Sequence, residues 1–274
     1  MDVTRMLRRY AAPRPFVVPA ADGTGARLAV EADMRARGWR RAASPGETGL
    51  LVVCGNPGPE LERAIGTVWR SMPAPRRRVS SLDEVTGDAG PAEPPDLGEV
   101  GMADRGDDRD GLRLDVLHVP LGPVLPDWPA GVRLDVALQG DVVQEAHVTV
   151  LESAPGYWRD GRARRLDAVA RLLRVAGWDA AAERAAVLRD AAPAEEDAAF
   201  CRRVARSRTL RWMTRGVGVR DGRDVHDRLS GWLDEIAGGE GAADGEPVEV
   251  LPELVAGEEL GRARLIVASV DVDG

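Results

Sequence analysis

Apolar positions along this chain change period twice, and the changes mark its organisation. Residues 22–38 (DGTGARLAVEADMRARG) place Leu28, Val30 and Met34 at helical spacing, with Asp22 or Thr24 as N-cap and Gly38 as a stop. Leu50-Leu51-Val52-Val53-Cys54 is a short unbroken apolar run, the pattern of a strand buried on both faces. Gly55 to Pro59 reads as a turn. Glu60 to Met72 is amphipathic, with Leu61, Ile65, Val68 and Trp69 on one face, and Pro73 ends it. Arg76 to Leu82 reads as a further strand, and residues 1–20, rich in Pro and Arg, as an irregular arm. Strand, helix and strand in succession predict an α/β unit.

Residues 86–111 are dense in Gly, Pro and Asp and read as an acidic linker. Beyond them the period becomes two. Leu112, Leu114, Val116 and His118 form one face, and Val132, Leu134, Val136 and Leu138 another; Gln139-Gly140-Asp141 turns the chain into a return strand over Val142 to Leu151. Helical spacing then resumes. Arg162 to Ala176 sets Leu166, Val169, Leu172, Leu173 and Ala176 opposite a row of arginines expected to face solvent. A second helix follows from Asp179 to about Leu188. A third opens at Pro193 and Glu195, carrying Phe200, Val204 and the apolar residues Leu210 to Trp212, and a last helix runs from Val225 to Ile236. Residues 238–247 read as a second link, and the apolar run Leu265 to Val270 as a buried strand or helix turn. The fold class expected is α+β. A small α/β domain with the character of a flavodoxin-like fragment (1–85) precedes the acidic linker (86–111), and an antiparallel β-meander with an α-helical bundle and a C-terminal segment follows (112–274).

The 274 residues carry a net charge of −8, which argues against a general nucleic-acid footprint. All 37 basic residues other than histidine are arginine, which offers planar, bidentate pairing where lysine offers a point charge. No run approaches eighteen apolar residues, so no membrane insertion is expected. The opening residues lack the apolar core of a secretory signal. Two cysteines, Cys54 and Cys201, are too few for a disulfide framework or a structural zinc site, so a reducing, cytoplasmic setting is expected.

Candidate chemistry is sparse. The acidic run Asp104, Asp107, Asp108, Asp110, Gly111 fails the calcium-loop pattern, whose last ligand would fall on Leu117. Gly23-Thr24-Gly25 lacks the third glycine of a dinucleotide fingerprint, and no Walker motif is present. His118, His147 and His226 have no locally spaced partners, although the strands bearing the first two are expected to be neighbours. Cys54 reads as a small buried hydrophobe. Cys201 lies beside Arg202 and Arg203, which would lower its pKa. Ser269 and Asp271 lack a histidine for a triad.

Three stretches resemble one family. Leu50 to Val79 (LLVVCGNPGPELERAIGTVWRSMPAPRRRV) is similar to the strand–turn–helix–strand of the iron–sulfur small subunit of complex I and of membrane-bound nickel–iron hydrogenases. His118 to Val150 (HVPLGPVLPDWPAGVRLDVALQGDVVQEAHVTV) resembles the amino-terminal β-region of the large subunit, through Gly122-Pro123, Pro126, Arg133-Leu134 and Gly140 to Val143. Val250 to Leu254, continuing through Gly257 to Ser269-Val270-Asp271, looks like the end of that same subunit. The resemblance implies a fusion of two shortened subunits. It also implies what is missing. The family's upstream cysteine motif corresponds to Gly23-Thr24-Gly25-Ala26-Arg27, and its post-strand cysteine to a place within Ser80 to Gly87; neither segment contains cysteine. Its loop histidines correspond to Leu125 and Pro129.

The function this implies is a non-catalytic accessory or structural subunit of a complex I-like or membrane-hydrogenase-like assembly. No catalytic, cofactor or metal residue is assigned, and no cofactor is expected. A partner-contact loop is expected at the surface, formed by Leu121, Gly122, Pro123, Leu125, Pro126, Trp128 and Arg133. The implied partners are other subunits of a membrane-associated respiratory or antiporter-like complex, holding the chain on the cytoplasmic face of the inner membrane. The alternatives are a quinone-linked oxidoreductase subunit with residual redox function, and a stand-alone binding module on the same scaffold.

Overall fold

The computed structural model describes residues 12–85, 104–107, 113–154, 156–191, 196–239 and 247–270. The fold is α+β. Its first part is a parallel three-stranded sheet in the order β1 (Phe16–Pro19), β2 (Leu50–Cys54), β3 (Arg77–Val79). Phe16, Val18, Leu51 and Val53 point to one face, where α2 (Pro59–Ser71) covers them with Leu61 and Ile65. Val17, Val52 and Cys54 point to the other, against Val30 and Met34 of α1 (Thr24–Arg37). Burial on both faces explains the unbroken apolar run of β2. The expected α/β unit is therefore present, with its strands in sequential order; among the described residues its sheet has no point of strand-order reversal of the kind a flavodoxin sheet has.

β1 departs from the sequence reading, which left residues 1–20 irregular. Three apolar residues between two prolines are too few to show a period, yet Phe16 to Pro19 pair in register with Leu51 to Cys54. The expected linker also contributes a strand, β4 (Asp104–Asp107), antiparallel to β5 (Arg113–Leu121).

β5, β6 (Val132–Gln139) and β7 (Val142–Val150) complete a four-stranded antiparallel sheet. Leu134, Val136, Leu138 and Val143 face the helices, as the alternation predicted for β6. On β5 the predicted face is reversed. Val119 and Leu121 join the core, paired with Val136 and Leu134, while His118 is exposed on the outer face. Leu117, 48 % exposed, blurred the alternation there.

The helices are α3 (Gly161–Val175), α4 (Asp179–Asp190), α5 (Glu196–Ala205), α6 (Arg208–Thr214), α7 (Val225–Ile236), α8 (Leu251–Val255) and α9 (Leu260–Ser269). Asp160 caps α3, and Asp224 forms a reciprocal capping box with Asp227 at the start of α7. Ser207 caps α6 and so separates it from α5. The run at Leu265 to Val270 is mostly helix, within α9. α3 is central, packed on α4, α7 and α9, so its arginine row is not the solvated face expected: Arg165 and Arg171 are buried. Arg165 donates to Glu235 at 2.5 Å and Arg171 to the Val270 carbonyl at 3.3 Å. The C-terminal segment is tied to the meander through Val143, whose N–H donates to the Glu258 carbonyl (2.9 Å) and whose carbonyl accepts from Gly257 (2.7 Å).

Candidate functional site

The loop between β5 and β6 was expected at the surface, and the structure turns most of it inward. Leu121, Pro123, Val124 and Trp128 are buried, whereas Gly122, Leu125 and Pro126 are half-buried. Val124 belongs to the core between α2 and the parallel sheet; Leu121 and Trp128 belong to the core of the second half, with Leu125 packed against it. The loop is thus a wedge that touches both halves of the same chain. Trp128 fixes its shape by donating from Nε1 to the Val132 carbonyl at 2.8 Å. Gly122 has φ +74°, and a Cβ there would overlap the Trp128 indole, so glycine is required on both counts. Arg133 lies apart from the wedge, where it pairs with Asp135 at 2.9 Å.

Beside the wedge is a cleft of about 40 Å³, room for a few waters. β1 and α1 supply one wall, with Val17, Pro19, Thr24, Arg27 and Glu31. The loop supplies Leu125, Asp127, Trp128 and Ala130, and α3 supplies Asp167, Arg171 and Arg174. Four charges close into a ring there. Arg27 pairs with Glu31 at 3.0 Å, one turn apart on α1, and with Asp167 at 2.8 Å across 140 residues. Arg189 of α4 pairs with Asp167 at 2.5 Å and with Glu31 at 3.0 Å. Signs alternate around the ring, so each guanidinium meets two of its carboxylates, and Arg189 also pairs with the adjacent Asp190 at 2.7 Å. Arg189 is the most enclosed, with its side chain 1 % exposed. Nearby, Asp127 accepts from Arg41 at 2.8 Å and lies 3.5 Å from Arg174.

The electrostatics follow from this packing. Burial alone would raise the Glu31 pKa, but the charges of Arg27, Arg41, Arg174 and Arg189 outweigh it and hold the carboxyl far below its usual range. Asp167 is likewise lowered: burial opposes, and Arg27 and Arg189 prevail. Burial would lower the Arg41 pKa, and Asp127 and Glu31 reverse that. The ring is therefore ionised at neutral pH.

The other candidates lie away from the cleft. His118 and His147 lie on the outer face of the meander, on the strands that flank β6, where with Asp135 and Glu145 they line one open depression of about 300 Å³; His147 stands opposite Asp135. Among the described residues no group of three or more His, Cys, Asp or Glu is arranged to hold a metal ion. Cys54 is buried in the α/β half, where burial pushes its thiol up to about 12. Cys201 departs from the sequence expectation: its pKa is raised to about 11, by burial first and then by Asp197 and Asp234. Its neighbours Arg202 and Arg203 point outward and do not lower it. Ser269 is structural, donating to the Ile266 carbonyl at 2.7 Å and accepting from Arg228 at 3.0 Å; Asp271 lies outside the described residues, as do the acidic residues Asp108 and Asp110.

Sequence reasoning missed the ring. The available signal was the Arg27–Glu31 spacing on a helix face otherwise read as apolar; nothing local points to Asp167 or Arg189. No helix among the described residues is long and apolar enough to cross a membrane. Comparison with known proteins finds no family model, no curated protein and no solved structure that matches this chain.

Proposed function

We propose that this chain is a non-catalytic accessory or structural subunit of a complex I-like or membrane-hydrogenase-like assembly, held at the cytoplasmic face of the membrane by partner subunits. One observation carries the reading. Arg27 ends the segment that corresponds to the family's upstream cysteine motif, and Leu125 stands where its loop histidine falls. They are about a hundred residues apart in sequence, yet they line the same cleft. A resemblance drawn from two unconnected stretches thus converges on one place. The two large-subunit-like stretches also meet, through Val143, Gly257 and Glu258.

The residues at the cleft do not fit the redox groups of the resembled family. A [4Fe–4S] cluster takes four thiolates; the chain has two, and each is enclosed in the core of a different half. Leu125 has no hydrogen-bonding group to offer a quinone. What fills the space is a charge-balanced ring that fastens the halves together, which favours a scaffolding role over electron transfer.

The test is recovery of the tagged full chain from detergent-solubilised native membranes, followed by identification of co-purifying proteins. Integral-membrane subunits of antiporter or hydrogenase type in stoichiometric amount are the expected result. A chain that stays in the soluble fraction, with no such subunit attached, refutes the proposal.

A further inference from the structure

A one-sided charged surface lies far from the cleft in sequence, on α5 and α6. Residues 201–215 read CRRVARSRTLRWMTR: six arginines and no acidic residue, in a chain of net charge −8. The structure sorts them cleanly. Arg208, Arg211 and Trp212, at successive offsets of three and one residues, share the exposed face of α6, and exposed Arg215 follows directly after its last turn. Leu210 and Thr214 occupy its buried face. Arg202, Arg203 and Arg206 do the same at the end of α5, opposite buried Val204. None of the six forms an ion pair with a described residue, although Arg203 sits over the Trp178 ring at 5.8 Å. Other exposed arginines of this chain do pair, as Arg63 does with Glu60 and Arg78 with Glu62. Trp212 is 81 % exposed, the largest exposure among the large apolar side chains described, and Val219 nearby in sequence is 58 % exposed. The sequence reading had placed Trp212 with the apolar residues of a helix core; the cap at Ser207 resets the helix phase and turns it outward.

We propose that these outer faces of α5 and α6 form a docking surface for an anionic phospholipid bilayer. The arginines engage headgroup phosphates, and Trp212 enters the interfacial layer. Charge complementarity carries the choice of occupant. A cluster of roughly four to eight basic residues on a helical surface is what an anionic leaflet attracts. An exposed indole amid such charges suits the headgroup layer, where one side of the ring meets hydrocarbon and the N–H stays wet. Nucleic acid fits less well. A single-strand platform stacks successive bases on several aromatic rings, and base-edge reading draws on amide side chains as well as Arg; the surface has one ring and no Asn or Gln between Cys201 and Gly222.

The experiment is flotation of the full chain with vesicles of phosphatidylcholine alone, or of phosphatidylcholine with phosphatidylglycerol as a minor component, at low and high salt. The vesicles contain no partner subunit, so the outcome is independent of the membrane-complex proposal. Co-flotation with the anionic vesicles only, weakened by salt, is expected. The double variant R208E/R211E lowers partitioning by roughly tenfold or more. W212A lowers it while leaving salt dependence in place, and R63E/R70E, an equal charge change on α2, leaves it unaltered. Circular dichroism verifies that each variant is folded. Equal partitioning onto neutral vesicles, or equal loss from R63E/R70E, overturns the proposal. So does tighter binding of an oligonucleotide than of anionic vesicles.

Discussion

Replacing Asp167 by leucine tests the ring directly. The side chain is 8 % exposed and accepts from Arg27 at 3.1 and 2.8 Å and from Arg189 at 2.5 Å. Leucine has the same branched four-atom skeleton and is bulkier, so no cavity forms, and the change removes one of the ring's two negative charges. Glu31 is then shared between two guanidinium groups. Arg27, 14 % exposed, can turn part of its charge toward water; Arg189, 1 % exposed, cannot, but it keeps Asp190 at 2.7 Å as a second partner. Breaking a buried pair by removing one partner costs about 3–5 kcal/mol, and partial escape of Arg27 points to the lower end, about 3 kcal/mol. For a chain of this size that lowers Tm by roughly 6–12 °C. The assay is thermal unfolding at neutral pH, run with the companion double variant D167L/R189M. Removing Arg189 as well leaves the balanced pair Arg27–Glu31, with Asp190 still held by Arg35 at the surface, so the double variant is expected to melt above D167L. A D167L variant that melts within about 2 °C of the parent, or losses from D167L and R189M that simply add, would refute the claim that these charges act as one closed unit.

Three further outcomes follow from the same structure. Glu31 and Asp167 both have folded pKa values below their unfolded ones, so the stability they contribute is fully present above about pH 5 and is lost as pH falls through about 4 toward the folded values; a Tm-against-pH series should show the acid slope, and D167N should flatten it. Cys54 and Cys201 are buried with raised thiol pKa values, so a thiol reagent at neutral pH should label neither in the native chain and both after denaturation; fast native labelling of Cys201 would contradict the packing of α5. Trp128→Phe removes the donor to the Val132 carbonyl and should cost about 1 kcal/mol in urea unfolding, with Gly122→Ala costing more through the clash at that same indole.

What the sequence made legible was whatever repeats locally. Helix α7 shows in the sequence with its observed bounds, Val225 to Ile236, because Val225, Leu229, Trp232, Leu233 and Ile236 hold a clear period between a capping aspartate and a glycine. β2 was read as well, since a five-residue apolar run bounded by glycines has few other uses. Illegible features depended on partners remote in sequence. β1 is recognisable only once β2 is there to pair with it. The arginines of α3 look like a solvated row until α4, α7 and α9 surround them. Trp212 was assigned to a core because the break between α5 and α6 rests on a single serine hydroxyl. At the candidate site, the wedge loop was picked out from its prolines and its resemblance. Its inward direction was not, because Val124 and Trp128 are buried by two different halves, and neither half is visible from the loop alone.

The ring also bears on how this chain can change over time. Arg27 and Glu31 belong to one half, Asp167 and Arg189 to the other, and each charge is balanced by both of its neighbours. A substitution at one corner strands a charge at the next, so single steps away from the present set are penalised and paired steps are not. The two halves are bound to drift together, and neither can be exchanged for a variant copy unless the matching corners travel with it.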